Sequence, residues 1–127
     1  MTQRIDQELA VTAATALRDV EIGPELLSVL RSLPVLIHNN GLVMASTYLL
    51  SKADKAHDDD RHWRVARTIL TEAARVIQLD PRDRPLDILD QLSGTDGTKY
   101  AVAQRRAQEL ATWLSRVGSA KAAETSS

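Results

Sequence analysis

Arginine and threonine side chains recur along one side of the segment that follows the acidic run at positions 58–60. On a helical wheel of about 100° per residue they fall within an arc of about 80°. We call this set the basic ridge: Arg61, Arg64, Thr68, Thr71 and Arg75, with Arg67 at its edge. Because the planar guanidinium group matches phosphate geometry, such a ridge can bind a nucleic-acid backbone without reading bases. The alternative is an ordinary solvated helix face with Glu72 nearby.

The last predicted helix carries a second pattern. Lys99, Arg106 and Trp113 are spaced seven residues apart and are therefore nearly stacked on one side of that helix. The Trp113 ring can offer a base a stacking surface. In a chain so poor in aromatic residues, core packing is the expected use, with Arg106 lying across the ring as a cation–π pair. Arg105, Arg106 and Lys52 are further candidates for backbone contact.

Two histidines bracket the acidic run. His57 and His62 stand on either side of Asp58–Asp60, but this spacing does not put both imidazoles on one helical face, and the closed ligand set of a zinc site is missing. The acids instead predict the N-cap and negative first turn of a helix. No Ser/His/Asp set, phosphate-cradling glycine loop or facing carboxylate pair stands out. We therefore expect no catalytic residue, no metal and no cofactor.

Composition limits the class of protein. The 127 residues suit one domain, and 43% are apolar but only 3% aromatic, with no Phe and no Cys. A core of Leu, Val, Ile and Ala favours helix packing, and disulfides are excluded. With no apolar run long enough to span a bilayer and no apolar signal region, a cytoplasmic protein is expected. The formal net charge of −1 argues against tight nucleic-acid binding by the chain alone.

Apolar periodicity predicts an all-α protein, a single compact helical bundle of five to six helices. The predicted helices cover residues 2–20, 24–40, 42–53, 60–79, 86–92 and 98–117, separated by Gly, Pro and Asn breakers. Pro34 is expected to bend or restart the second helix. Asn40 or Gly41 is expected to take the left-handed conformation that ends it. Residues 1–117 form the predicted bundle domain, and residues 118–127 a disordered polar tail.

Two segments carry a family resemblance. Residues 32–55 read SLPVLIHNNGLVMASTYLLSKADK, an apolar turn, a polar break and an apolar helix. Residues 100–117 read YAVAQRRAQELATWLSRV. In this order and at this separation they resemble the small subunit of type III-B, or Cmr-type, CRISPR effector complexes. Tyr48 stands where Phe is usual, and Val43-Met44 replace a small and polar pair, which are changes of packing.

The resemblance implies a helical bundle without enzymatic activity that takes part in antiviral defence. Copies of such a subunit stack head to tail as a minor filament inside a ribonucleoprotein, where they contact the backbones of guide RNA and target RNA. The implied partners are the other subunits of the complex, further copies of the chain and the two RNAs, with no membrane. On the helical wheel, the basic ridge is the first candidate for RNA contact, followed by Arg105, Arg106 and Lys52.

Two other functions stay open on sequence alone. A helical adaptor that binds only protein would not use the basic ridge for nucleic acid. A nucleotide- or metal-dependent hydrolase would need acids that face one another across the bundle, and the acids available are Asp58–Asp60 with Asp83, Asp87 and Asp90.

Overall fold

The chain contains helices and turns, and no strand, in the part that the structure describes. A computed structural model describes residues 2–57, 59–80, 82 and 84–126, with side chains for residues 5–125 of those ranges. The helices are α1 (Thr2–Ala16), α2 (Pro24–Asn40), α3 (Leu42–Lys52), α4 (Arg61–Val76), α5 (Pro85–Ser93) and α6 (Gly97–Ser126). The predicted all-α bundle is confirmed. None of these described helices is both long enough and apolar enough to cross a membrane.

Leucine, isoleucine and alanine fill the core. α6 lies at the centre and contacts α1, α2, α3 and α4, with its most extensive interface against α2. Ala103 and Ala107 are fully buried on α6 and let neighbouring helices approach closely, while Leu110 and Leu114 fill the space between them. Burying a side chain such as Leu stabilises a fold by roughly 1.5–3 kcal/mol. These apolar residues recur every three or four positions along α6 and form a stripe at the centre of the bundle.

A sharp connection at Gly41 joins α2 to α3. Its backbone has φ 88° and ψ 162°, a combination that is open to glycine almost alone. The Gly41 N–H donates to the Ile37 carbonyl at 2.8 Å and ends α2. The predicted positive φ is confirmed at Gly41, although ψ is extended rather than left-handed helical.

Side chains of α6 cap the start of α3. The backbone N–H groups of Leu42 and Val43 have no partner inside α3 because they lie in its first turn. Leu42 N–H donates to Gln104 Oε1 and Val43 N–H donates to Tyr100 Oη, each at 3.0 Å. The two segments that carry the family resemblance therefore meet at this junction.

Asp60 begins α4. Its Oδ1 accepts the backbone N–H groups of His62 at 3.0 Å and Trp63 at 3.1 Å. This arrangement confirms the acidic N-cap that the sequence predicts.

The end of α4 is a Schellman motif. Gln78 has φ 65°, and its N–H donates to the Arg75 carbonyl at 3.3 Å. The N–H of Leu79 donates to the Ala74 carbonyl at 2.8 Å. A residue with a side chain therefore occupies the left-handed position where glycine is preferred.

The end of α6 corrects the predicted polar tail. α6 continues to Ser126, so the helix end predicted near Val117 is wrong, and residues 118–126 are helix rather than a disordered tail. Gly118 is buried, and a Cβ atom there would stand 2.6 Å from Leu30 Cδ1. Lys121 Nζ donates to the backbone carbonyls of Leu17 and Arg18. These contacts tie the last turns of α6 to α1 and α2.

One other predicted boundary is wrong. α1 ends at Ala16 rather than near position 20, because the chain turns at residues 17–19, where Lys121 binds the carbonyls of the turn. α2 continues across Pro34 rather than restarting there, and a bend at Pro34 stays a prediction. Proline removes one hydrogen bond of a helix, and buried Leu33 and Ile37 hold α2 in place against the core on both sides of that gap.

Candidate nucleic-acid interface

The basic ridge of α4 faces a groove, because α1 lies beside α4. This α1–α4 groove has a volume of about 280 Å³. Its α4 wall carries Arg64, Arg67, Thr68, Thr71 and Arg75. Its α1 wall carries Thr12 and Thr15 together with small apolar side chains. The helical wheel correctly placed the α4 residues on one side, but that side is the wall of a groove rather than an open convex face.

Arg64 is the basic-ridge residue best placed to receive an anion. Its side chain is half-buried in the groove wall. It makes no ion pair with any carboxylate of the described residues. Its backbone carbonyl accepts the Thr68 hydroxyl at 2.8 Å, which fixes that neighbour against the helix. The N–H donors of the Arg64 guanidinium therefore have no acceptor among the described residues.

Glu72 is a buried carboxylate that holds two arginines. Its side chain is 8% exposed, and Oε2 lies 3.1 Å from Arg106 Nη1, whose side chain is 23% exposed. Glu72 Oε1 lies 3.5 Å from Nη1 of Arg75, which is 62% exposed. Arg106 therefore joins α6 to α4 through a charge-assisted hydrogen bond. The sequence carried a signal for this burial, since Glu72 stands between two apolar residues on the same side of the helix, Ile69 three residues before it and Val76 four residues after it.

Arg61 stands apart from the α1–α4 groove. It is the first residue of α4 and is 46% exposed, with Nη2 3.8 Å from Glu21 Oε2. A small depression next to it is lined by Asp54, Asp59 and Asp60. These carboxylates of its own chain attract the Arg61 guanidinium and compete with an external anion for it. The structure thus separates Arg61 from the other arginines of the basic ridge.

The remaining candidates lie on two other surfaces. Arg105 is exposed on α6, with Nε 3.5 Å from Glu109 Oε1, beside a shallow groove between α1 and α6. Lys52 ends α3, and its Nζ lies 5.4 Å from the centre of the Tyr48 ring. Contact of these residues with a nucleic-acid backbone stays a prediction, as it does for Arg61, Arg64, Arg67, Arg75 and Arg106.

Trp113 packs against the core as expected, but its cation is not Arg106. The Trp113 ring is half-buried against the core, and the Arg116 guanidinium lies 5.9 Å from its centre. Arg116 is three residues away, within one helical turn, whereas Arg106 is two turns away and paired with Glu72. The predicted cation–π pair with Arg106 is wrong.

The carboxylate of Asp60 binds backbone N–H groups before and after the start of α4. Asp60 Oδ1 caps α4, and Oδ2 accepts the N–H of Asp54 at 2.7 Å and of Lys55 at 3.3 Å. His57 Nδ1 accepts the N–H of Asp59 at 3.1 Å. In the described part of the chain, no group of three or more His, Asp or Glu residues is arranged to hold a metal ion. Asp58 and Asp83, which the hydrolase alternative requires, lie outside the described residues.

The two segments that carry the family resemblance are structural. Leu33, Ile37, Leu42 and Leu49 of the first segment are fully buried. The second segment supplies the central stripe of α6 and the two side chains that cap α3. These segments identify the architecture, whereas the α1–α4 groove lies mostly outside them.

Comparison with known proteins agrees with this architecture. The family described as CRISPR-associated protein (Cas_Cmr5) matches residues 3–121, which is nearly the whole chain. No curated protein and no solved structure gives a significant match. The match extends over nearly all of α1, over α2–α5 and over most of α6, including residues 118–121 of the helical segment beyond Val117. The chain therefore belongs to the CRISPR-associated Cmr5 family.

Proposed function

We propose that this chain is the non-catalytic small subunit of a type III-B CRISPR ribonucleoprotein in the cytoplasm. Its copies stack into a minor filament. In that filament they contact the backbones of guide and target RNA. Family membership indicates a subunit of the Cmr complex that associates with the other subunits of that complex. The observation that carries the RNA contact is the α1–α4 groove, with Arg64, Arg67 and Arg75 along one wall.

The charge of the chain supports binding by an array of copies. The formal net charge is −1, and Arg75, Arg105 and Arg106 each lie near a carboxylate of their own chain. A single copy thus offers few cations to phosphate and binds RNA weakly. When several copies are held in one particle, weak contacts add up because each further contact is intramolecular.

The absence of catalysis is part of the proposal. The carboxylate of Asp60 is occupied by four backbone N–H donors, and Glu72 is occupied by two arginines. Both acids therefore have structural partners, which supports a structural role for them rather than a catalytic one.

The test removes the two arginines at the start of α4. Complexes assembled with Arg61→Ala combined with Arg64→Ala should bind target RNA about tenfold more weakly, since charge-assisted hydrogen bonds are lost. The slope of log K against log salt should fall by about 0.7 for each phosphate contact removed. The single variants divide the effect, and the geometry assigns the larger share to Arg64→Ala.

Arg84→Ala is the matched control, because Arg84 is an exposed arginine at the start of α5, away from the groove. It should leave RNA binding unchanged. If all four variants bind RNA as the wild type does, with the same salt slope, the chain does not contact RNA through this surface. That result favours the alternative of a helical adaptor that binds only protein.

A further inference from the structure

Thr71 departs from a pattern that five other helical threonines follow. A hydroxyl in a helix commonly donates to the carbonyl four residues earlier. The threonines that do so here are Thr12, Thr47, Thr68, Thr112 and Thr125. Thr71 Oγ1 lies in the middle of α4, is buried, and has no hydrogen-bond partner among the described residues. Since a buried polar group without a partner is unfavourable, its presence calls for an explanation.

The side chain of Thr71 has a second environment beside it, the α1–α4 groove. Thr71 lines the α1–α4 groove, one turn before Arg75 and two turns after Arg64. Because Oγ1 is buried in the structure, the side chain must rotate about its Cα–Cβ bond for the hydroxyl to reach a ligand in the groove. A ligand there that accepts hydrogen bonds would give the hydroxyl the partner that it lacks.

The charge around the groove selects an anion. Arg64, Arg67 and Arg75 line it, and Glu72 is its acidic member. The Glu72 charge is already balanced by Arg106 at 3.1 Å, which lies outside this groove. Among the described residues that line this groove, those of α1 add hydroxyl and apolar groups but no carboxylate. Guanidinium and hydroxyl groups that line one small groove are suitable donors to the oxygens of a phosphate group.

We infer that the α1–α4 groove binds one phosphate group of the RNA strand, held by the Arg64 guanidinium and by the Thr71 hydroxyl turned into the groove. This inference rests on the function proposed above and makes it specific. It assigns a binding role to Thr71, a neutral residue, and makes α1 the second wall of the phosphate site.

Thr71→Val separates this role from a structural one. Valine keeps the shape and removes the hydroxyl, so complexes assembled with this variant should bind target RNA about fivefold to tenfold more weakly. The salt slope should not change, because no charge is removed. Thermal stability of the isolated chain should not fall, because the lost hydroxyl had no partner. Thr47→Val is the control, since Thr47 is exposed on α3, and it should leave RNA binding unchanged.

Two outcomes overturn the inference. If Thr71→Val binds RNA as tightly as Thr47→Val does, the hydroxyl is not used. If Thr71→Val lowers thermal stability more than Thr47→Val does, the hydroxyl is structural. An effect of Arg64→Ala without an effect of Thr71→Val leaves the proposed function standing and removes only this site. No effect of Thr71→Val and none of any variant at Arg61 and Arg64 removes both.

A phosphate titration identifies the source of the ligand. Inorganic phosphate is added to the isolated full-length chain, and amide chemical shifts are followed by NMR. Saturable shifts confined to the groove, together with weaker RNA binding by Thr71→Val, support a phosphate site that the RNA occupies. Weaker RNA binding without such shifts also supports the RNA strand as the source. Shifts without any change in RNA affinity assign the groove to a free phosphate and overturn the inference.

Discussion

Asp60 joins a loop to a helix through a single carboxylate. Its two oxygens accept backbone N–H groups from the start of α4 and from Asp54 and Lys55 in the preceding loop. Partial burial raises the pKa of Asp60, but these donors outweigh it, and the pKa lies below its ordinary value of 3.8. Because the folded chain holds the ionised form more strongly than the unfolded chain does, Asp60 stabilises the fold above about pH 4.

Asp60→Ala should lower the free energy of unfolding by about 1–2 kcal/mol at neutral pH, since it removes the N-cap of α4. The difference from wild type should shrink as the pH falls through the lowered pKa of Asp60, where the wild-type carboxylate also loses its charge. Urea denaturation at neutral and acidic pH measures both values. Asp59→Ala is the control, with an exposed side chain and an expected change within about 0.5 kcal/mol. A difference between Asp60→Ala and wild type that stays constant across pH would contradict this role.

Gly41→Ala should destabilise the chain by about 1–3 kcal/mol, because φ 88° with ψ 162° is strained for a residue with a Cβ atom. Space is not the cause, since the added Cβ would meet Gln104 Oε1 and Tyr100 Oη at ordinary contact distances of 3.5 Å. Gly97→Ala is the matched control, because Gly97 begins α6 and a Cβ atom there meets nothing within 4 Å. Equal thermal stability of the two variants would show that the conformation at Gly41 is not required.

Helix boundaries show which parts of the fold the sequence could predict. The N-cap at Asp60 and the break at Gly41 are encoded locally, by side-chain chemistry and by backbone freedom, and both predictions are confirmed. The true end of α6 depends on Gly118 packing against Leu30 and on Lys121 binding carbonyls of the turn after α1. Those partners are distant in sequence, and residues 118–127 have no apolar periodicity from which a helix could be predicted.

Gln78→Gly should raise the free energy of unfolding by about 1 kcal/mol, because Gln78 occupies the left-handed position of the Schellman motif at the end of α4. The added backbone freedom of glycine in the unfolded chain offsets part of this gain. Urea denaturation compares Gln78→Gly with Gln78→Ala, which keeps a Cβ atom and should bring no such gain. Similar stability of the two variants would mean that the positive φ is not strained.

At the scale of the whole molecule, α6 connects the bundle. It contacts α1, α2, α3 and α4, and its last turns bind both α1 and α2. Removal of residues 118–127 should therefore lower the melting temperature of the chain, by loss of the Gly118–Leu30 packing and of the Lys121 contacts. Removal of residues 124–127 alone is the control and should have little effect, because Glu124 and Thr125 are exposed. Calorimetry measures both truncations, and equal melting temperatures would restore the polar-tail interpretation.

The sequence predicted one wall of the candidate site, on α4, but not the other wall, on α1. A helical wheel gathers Arg64, Thr71 and Arg75 on one side of α4, because their spacing alone determines that placement. It describes a single helix, so it could not show that α1 closes a groove over them. The wheel also grouped Arg61 with these residues, although Arg61 lines a separate depression with Asp54, Asp59 and Asp60. The charge of a surface depends on neighbouring elements as much as on its own helix.

The firm attachment of the last turns of α6 has a practical use in studies of assembly. The chain has no cysteine, so Ala123→Cys, at an exposed position near the end of α6, would supply a unique thiol for a spin label or a fluorophore. Since Lys121 anchors that turn to the rest of the bundle, the probe moves with the protein as one rigid unit. Distances between such labels in an assembled particle would then measure the spacing and rotation from one copy to the next.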